Sequence, residues 1–189
     1  MPPLREPPVL PRCQSRTVVA VALLAITATP FVAGSRGAAQ DLDAAAVLGA
    51  IDRGVAYLKR QQKPKGNWSD TLGNPGGLSA LVTLALLNAG LAPDDPTVDR
   101  GLDYLRRLNL DEQRTYFVSL RIMALCAATP GRDRETIRKA VDWLEKTQVK
   151  EGRNVGAWSY SDTRLGEGDP SNSQFAVLAL HEAERAGVG

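Results

Sequence analysis

The stretch from Arg53 to Trp68 reads R-G-V-A-Y-L-K-R-Q-Q-K-P-K-G-N-W, and an apolar run from Gly77 to Leu87 follows it almost at once. A helix, a tight corner and a second helix are written there. Before the corner, Val47, Ile51, Val55 and Leu58 recur at spacings of four, four and three. This puts one apolar stripe on a helix whose other face carries Asp52, Arg53, Lys59 and Arg60. Pro64 and Gly66 stop that helix, because proline lacks the next backbone donor and glycine takes turn conformations that other residues resist. Leu78 to Leu87 is apolar on nearly every side apart from Ser79 and Thr83, which predicts a helix that belongs inside.

The unit recurs. Tyr57-Leu58, Tyr104-Leu105 and Trp143-Leu144 are equivalent anchors on outer helices, 47 and then 39 residues apart. The inner helices align through Ala85-Leu86, Ala124-Leu125 and Ala179-Leu180. A period near 40 residues indicates stacked helical pairs, each needing its neighbours to cover its apolar face. The expected fold class is therefore all-α, with helical hairpin repeats in three outer/inner pairs.

Asp41 and Asp43 are candidate N-caps for the first outer helix, and Asp95-Pro96 caps and begins the second. The second inner helix is expected at about Thr115 to Ala128, with Pro130-Gly131 breaking it. The third outer helix should start near Asp133. Its inner partner should begin at Ser171, where S-N-S-Q fits a capping box closed by Gln174.

The order Arg53-Gly54, Tyr57-Leu58, Gln62, Gly66, Trp68 resembles the QW motif of squalene and hopene cyclases, with every fixed position filled. The third hairpin resembles it more loosely, with Lys139-Ala140, Trp143-Leu144, Gln148 and then Gly156-Ala157-Trp158 after four extra residues. The second departs from it: Asn109 stands where Gln is expected, and no G-x-W follows. The resemblance covers roughly residues 43 to 189. It implies a prenyltransferase and squalene oxidase repeat protein, a partial α/α toroid of the terpenoid cyclase and protein prenyltransferase type. It also implies that Gln62, Gly66, Trp68, Gln148, Gly156 and Trp158 are structural, with Gln and Trp stacked at the corner to tie outer helix to inner. Such a motif identifies a fold more than an activity. An open HEAT-like superhelix shares the period but not the corner.

Residues 1–39 read as an address label. Arg5, Arg12 and Arg16 precede an uncharged run from Thr17 to Ser35, and Gly37-Ala38-Ala39 suits a cleavage site. The expectation is a signal peptide over 1–39, a repeat domain over 40–189, and export to the periplasm or the exterior, with mature protein beginning near Gln40. The alternative is an uncleaved leader that anchors the chain, the only route to a membrane. Arg5, Arg12, Arg16, Arg36 and Glu6 leave with the leader, so 23 basic and 21 acidic residues become 19 and 20, a net charge of −1. No basic field remains to favour nucleic acid. Cys126 is then the one cysteine, so an intramolecular disulfide is excluded.

Chemistry is harder to find. The cyclases' D-x-D-D acid is missing, and Asp94-Asp95 sits between prolines where capping explains it. Cys126 and His181 have no recognisable third ligand in register, so no zinc site, metal or cofactor is expected. No C-x-E-Q thioester run occurs. Two features rise above this background. Arg121 lies in an apolar inner helix, facing either a carboxylate partner or a wet central cavity. The polar corner from Trp158 to Gln174, with Tyr160, Asp162, Glu167, Asp169 and Asn172, leads into an inner helix and is the best candidate mouth.

Three function classes follow. The first is a secreted repeat domain related to squalene-hopene cyclases that binds or scaffolds without catalysing. The second is a fragment of a terpenoid cyclase or related isoprenoid enzyme, and the third a carbohydrate-active toroid. The expected partner is a hydrophobic small molecule, or another copy. Three hairpins do not close the toroid that the resemblance implies, which points to a fragment of a longer ring or to self-association through the open edge.

Overall fold

Asp43 accepts a hydrogen bond from the Ala45 amide at 3.1 Å and opens the first helix, α1, Ala44–Gln61. The computed structural model describes residues 43–69, 76–109, 114–161 and 168–188. The leader, Asp41, Asp162 and Glu167 lie outside them. Among the described residues the chain is all-helical: after α1 come α2 (Gly77–Asn88), α3 (Pro96–Arg107), α4 (Thr115–Ala128), α5 (Pro130–Thr147) and α6 (Pro170–Arg185), with no strand. All six belong to one unit, Leu42–Gly189. No described helix is long and apolar enough to cross a membrane.

Three helix starts use Asp or Thr followed by proline. Asp95 accepts from the Thr97 amide at 2.9 Å with Pro96 in the first turn, the arrangement the sequence predicts. The other two starts correct the sequence reading. α5 begins at Pro130 rather than near Asp133, because proline fits a first turn whose amides are unpaired in any case, so the residue that ends α4 also begins α5. α6 begins at Pro170 with Asp169 as its cap, accepting from the Asn172 amide at 2.8 Å. Ser171 therefore lies inside the helix, and Gln174 is exposed rather than reaching back to a cap.

The inner helices α2, α4 and α6 lie side by side, with α4 in the middle. Thr115 donates its amide to Tyr160 O at 3.2 Å and its hydroxyl to Ser159 O at 2.5 Å, and the Tyr116 hydroxyl donates to Ser171 Oγ, so the start of α4 is tied to the third corner and to the start of α6. α3 packs mainly on α2, and α5 mainly on α4. α3 and α5 thus each pack more on the inner helix before them than on the one after their corner. Chain connectivity explains this, since α4 and α5 are joined through Thr129 alone and short links hold antiparallel neighbours together.

The core runs between the layers, through Leu86, Leu102, Leu105, Phe117, Leu125 and Leu144. Burial fades at the ends. α1 buries no residue fully, and Leu81 and Ala85 of α2 are exposed although the sequence places that helix inside. An apolar pattern shows what a helix needs, whereas burial also requires a neighbour.

A second link runs between outer helices. Arg106 on α3 clamps Asp133 on α5, with Nε to Oδ1 at 2.8 Å and Nη2 to Oδ2 at 2.9 Å. Thr129 donates its hydroxyl to the same carboxylate at 3.1 Å. The Asp133 hydrogen bonds hold the Arg106 guanidinium pKa above its ordinary value. On the surface, Lys59 of α1 meets Asp95 at 2.7 Å, which lowers the Asp95 pKa.

Candidate functional site

The first and third corners share three hydrogen bonds. Trp68 Nε1 donates to Leu58 O at 2.8 Å and Trp158 Nε1 to Leu144 O at 2.7 Å, each reaching the last turn of the preceding outer helix. The Trp68 amide donates to Ser79 Oγ, and the Trp158 amide to Ser173 Oγ, both at 3.0 Å. Gln62 Nε2 donates to Gly66 O, and Gln148 Nε2 to Gly156 O, again both at 3.0 Å. The sequence showed Ser79 only as a polar exception in an apolar helix and Ser173 only as part of S-N-S-Q, and gave neither this role. Both stand six residues before the anchors Ala85 and Ala179, so the register alone could have found them.

Each tryptophan joins an outer helix to the inner helix that follows. The glutamines reach elsewhere: Gln62 also donates to Thr97 O at 2.8 Å and accepts from Arg100 Nη2 at 2.6 Å, binding the end of α1 to the start of α3. Gly66 and Gly156 both have φ of +89°. A Cβ on Gly66 would stand 2.3 Å from Arg100 O, whereas one on Gly156 meets nothing within 4 Å. Alanine at either site carries left-handed strain of about 1–2 kcal/mol, and only Gly66→Ala adds a backbone collision. Gly66→Ala is therefore expected to cost clearly more than Gly156→Ala in paired denaturant melts. Equal costs would show that α3 does not close over the first corner.

The second corner has no tryptophan, and Arg121 supplies the missing donor. Its Nη2 reaches Arg106 O at 3.3 Å, in the last turn of α3, and Cζ lies 5.9 Å from the centre of the Phe117 ring. The side chain is buried and its Nε has no partner. Burial lowers its pKa, with the charge of Asp133 opposing. Among the described residues no carboxylate lies within ion-pair distance of it. It borders a cavity of about 220 Å³ with Leu108, Thr136 and Lys139, between the outer helices. Of the two surroundings the sequence offered Arg121, it has no carboxylate partner among the described residues, and the cavity it borders lies between outer helices; its hydrogen-bond partner is a helix-end carbonyl, whose partial negative charge favours a cation.

The expected mouth residues divide. Trp158 is buried in the core and all its polar atoms are engaged in the corner. Asp169 and Asn172 form the cap of α6: the Asp169 carboxylate takes bonds from the Ser171 hydroxyl, the Asn172 amide and Asn172 Nδ2, which lower its pKa. Asn172 is buried and its Oδ1 has no partner. Asp162 lies outside the described residues. Tyr160 is exposed, and its ring centre lies 6.2 Å from that of Tyr116. Tyr116 in turn meets Phe175 edge-on at 4.8 Å and donates its hydroxyl to Ser171 Oγ at 2.6 Å. Sequence reasoning missed Tyr116 and Phe175, because an aromatic residue in an apolar helix reads as core.

Below this aromatic trio, the side of α4 left uncovered by its neighbours carries Tyr116, Met123 and Ala127. Leu84, Met123 and Leu178 each stand two residues before an anchor leucine, and none of them is fully buried. By register they form an apolar row, at equivalent positions on the three inner helices. Burial, with Glu182 and Asp133 adding to it, pushes the half-buried Cys126 thiol up to about 11, so at neutral pH it is a protonated thiol rather than a nucleophile. Among the described residues no three His, Cys, Asp or Glu side chains converge to hold a metal.

No family model, curated protein or solved structure matches the chain at a significant level.

Proposed function

We propose that this chain is an exported helical-repeat domain of the squalene cyclase and protein prenyltransferase type, a partial α/α toroid of three outer/inner pairs that binds an apolar ligand without catalysis. The observation that carries the reading is the row Leu84, Met123 and Leu178, capped at one end by Tyr116, Tyr160 and Phe175. An apolar wall on neighbouring helices with a polar-tipped aromatic rim suits a hydrocarbon chain that ends in a small polar group. The repeated corner supports the toroid reading, because the same three hydrogen bonds recur between equivalent residues of two outer/inner pairs.

Farnesol, a flexible isoprenoid alcohol, is a suitable probe. Calorimetric titration of the full chain should give saturable binding with a negative heat-capacity change, the mark of apolar burial. Leu178→Asp removes one leucine from the wall at an exposed position, and should weaken binding about tenfold or more. No saturable heat with the native chain, or unchanged affinity in the variant, would reject the proposal.

A further inference from the structure

The second corner keeps a seat that a glutamine side chain fills in the first. Counting from the outer anchor leucines, Asn109 stands four residues after Leu105, as Gln62 does after Leu58. Thr97 and Arg100 stand eight and five residues before Leu105, as Thr136 and Lys139 do before Leu144. In the first corner the Gln62 carboxamide joins the end of α1 to the start of α3. Its Nε2 donates to Thr97 O at 2.8 Å, and its Oε1 accepts from Arg100 Nε at 3.1 Å and Nη2 at 2.6 Å. In the second corner the equivalent residues Asn109, Thr136 and Lys139 also come together, but around a cavity of about 220 Å³. Asparagine is one methylene shorter than glutamine. Lys139, in the place of Arg100, has Glu135 at 3.6 Å, and both of these side chains are exposed, so the pair is a weak one.

Two arginines complete the lining, and their charges are balanced differently. Arg106 is held by both oxygens of Asp133 and by Asp103 at 2.8 Å. Arg121 is 3% exposed and has no carboxylate within ion-pair distance among the described residues. The nearby charge of Asp133 acts on it, but the Asp133 oxygens are taken by Arg106 and Thr129. A buried cation without its own counter-charge is costly, and an anion entering the cavity would offset that cost.

We propose that this cavity binds the carboxylate of a small organic acid between Lys139 and Arg121. One carboxylate oxygen takes the part of Gln62 Oε1, accepting from Lys139 as Oε1 accepts from Arg100. A carboxylate has the planar, two-headed shape of the carboxamide that fills the first corner, and it adds the charge that Arg121 lacks. The volume of about 220 Å³ is below the roughly 300 Å³ at which pockets for drug-sized ligands begin, so the acid is a small one. The site involves neither the apolar row nor its ligand.

Propionate, whose skeleton matches the glutamine side chain, is the probe. Titrated into the isotopically labelled full chain at constant ionic strength, it should give a saturable shift of the Arg121 Nε–H nuclear magnetic resonance signal, identified by its loss in Arg121→Met. Lys139→Gln should weaken binding about tenfold, the effect of losing one charge-assisted hydrogen bond. Asn109→Gln should abolish it, because the restored carboxamide fills the seat. Both substitutions are at exposed positions, and circular dichroism checks that the variants fold. An unsaturable response in the native chain, full affinity in Asn109→Gln, or phosphate binding as tightly as propionate would overturn the proposal. So would binding that appears only in an Asp111→Asn, Glu112→Gln variant, because the chain's own carboxylates would then be the occupants.

Discussion

Trp68→Ala and Trp158→Ala should each lower the free energy of unfolding by about 3–5 kcal/mol, the usual cost of removing a large aromatic side chain from a packed site. Both rings belong to the core, and each indole N–H holds a carbonyl in the last turn of an outer helix. The loss has two parts: a cavity where the ring stood, and a helix-end carbonyl left without its donor. Trp→Phe at either site separates them, because it keeps most of the volume and removes only the N–H. It should therefore cost less than alanine, though more than an exposed substitution. Denaturant melts in which Trp68→Ala shifts stability by under about 1 kcal/mol would contradict the packing described above.

A comparable loss is expected from Asp133→Ala, by a different route. Asp133 is 3% exposed and takes both arms of the Arg106 guanidinium. Its removal leaves that cation part-buried beside Arg121, with Asp103 as its one other carboxylate among the described residues. Breaking a buried pair on one side costs about 3–5 kcal/mol, whereas replacing both partners with apolar residues is far milder. Asp133→Leu combined with Arg106→Met should therefore be more stable than Asp133→Ala alone. Thermal melts ranking the double variant below the single one would show that the ion pair is not the main role of Asp133.

The sequence made the helices legible wherever a local rule governed them. Asp95-Pro96, the α4 span and the tryptophan corners needed no more than spacing and caps. It set the start of α5 near Asp133 and gave that residue no partner, because the Arg106 that claims it stands 27 residues away. It misplaced the start of α6, because Asp169-Pro170-Ser171 offers two capping side chains and only the backbone decides between them. Arg121 was legible as an anomaly but not as a solution, since its acceptor is a carbonyl on another helix. At the mouth, Tyr160 announced itself by lying in a polar corner. Tyr116 and Phe175 did not, because the uncovered side of an inner helix is as apolar as its covered side.

The scant burial of α1 also bears on how the molecule comes apart. That helix is fastened near its C-terminal end, by the Leu58 carbonyl, the Lys59 ammonium and the Gln62 amide, while Val47 and Leu48 toward its start are exposed. In a stack where each element leans mainly on its neighbours, such a helix peels away first and does so without disturbing the rest. Opening is thus graded along the chain, with α1 the first to detach and α4, packed on both sides, the last to yield.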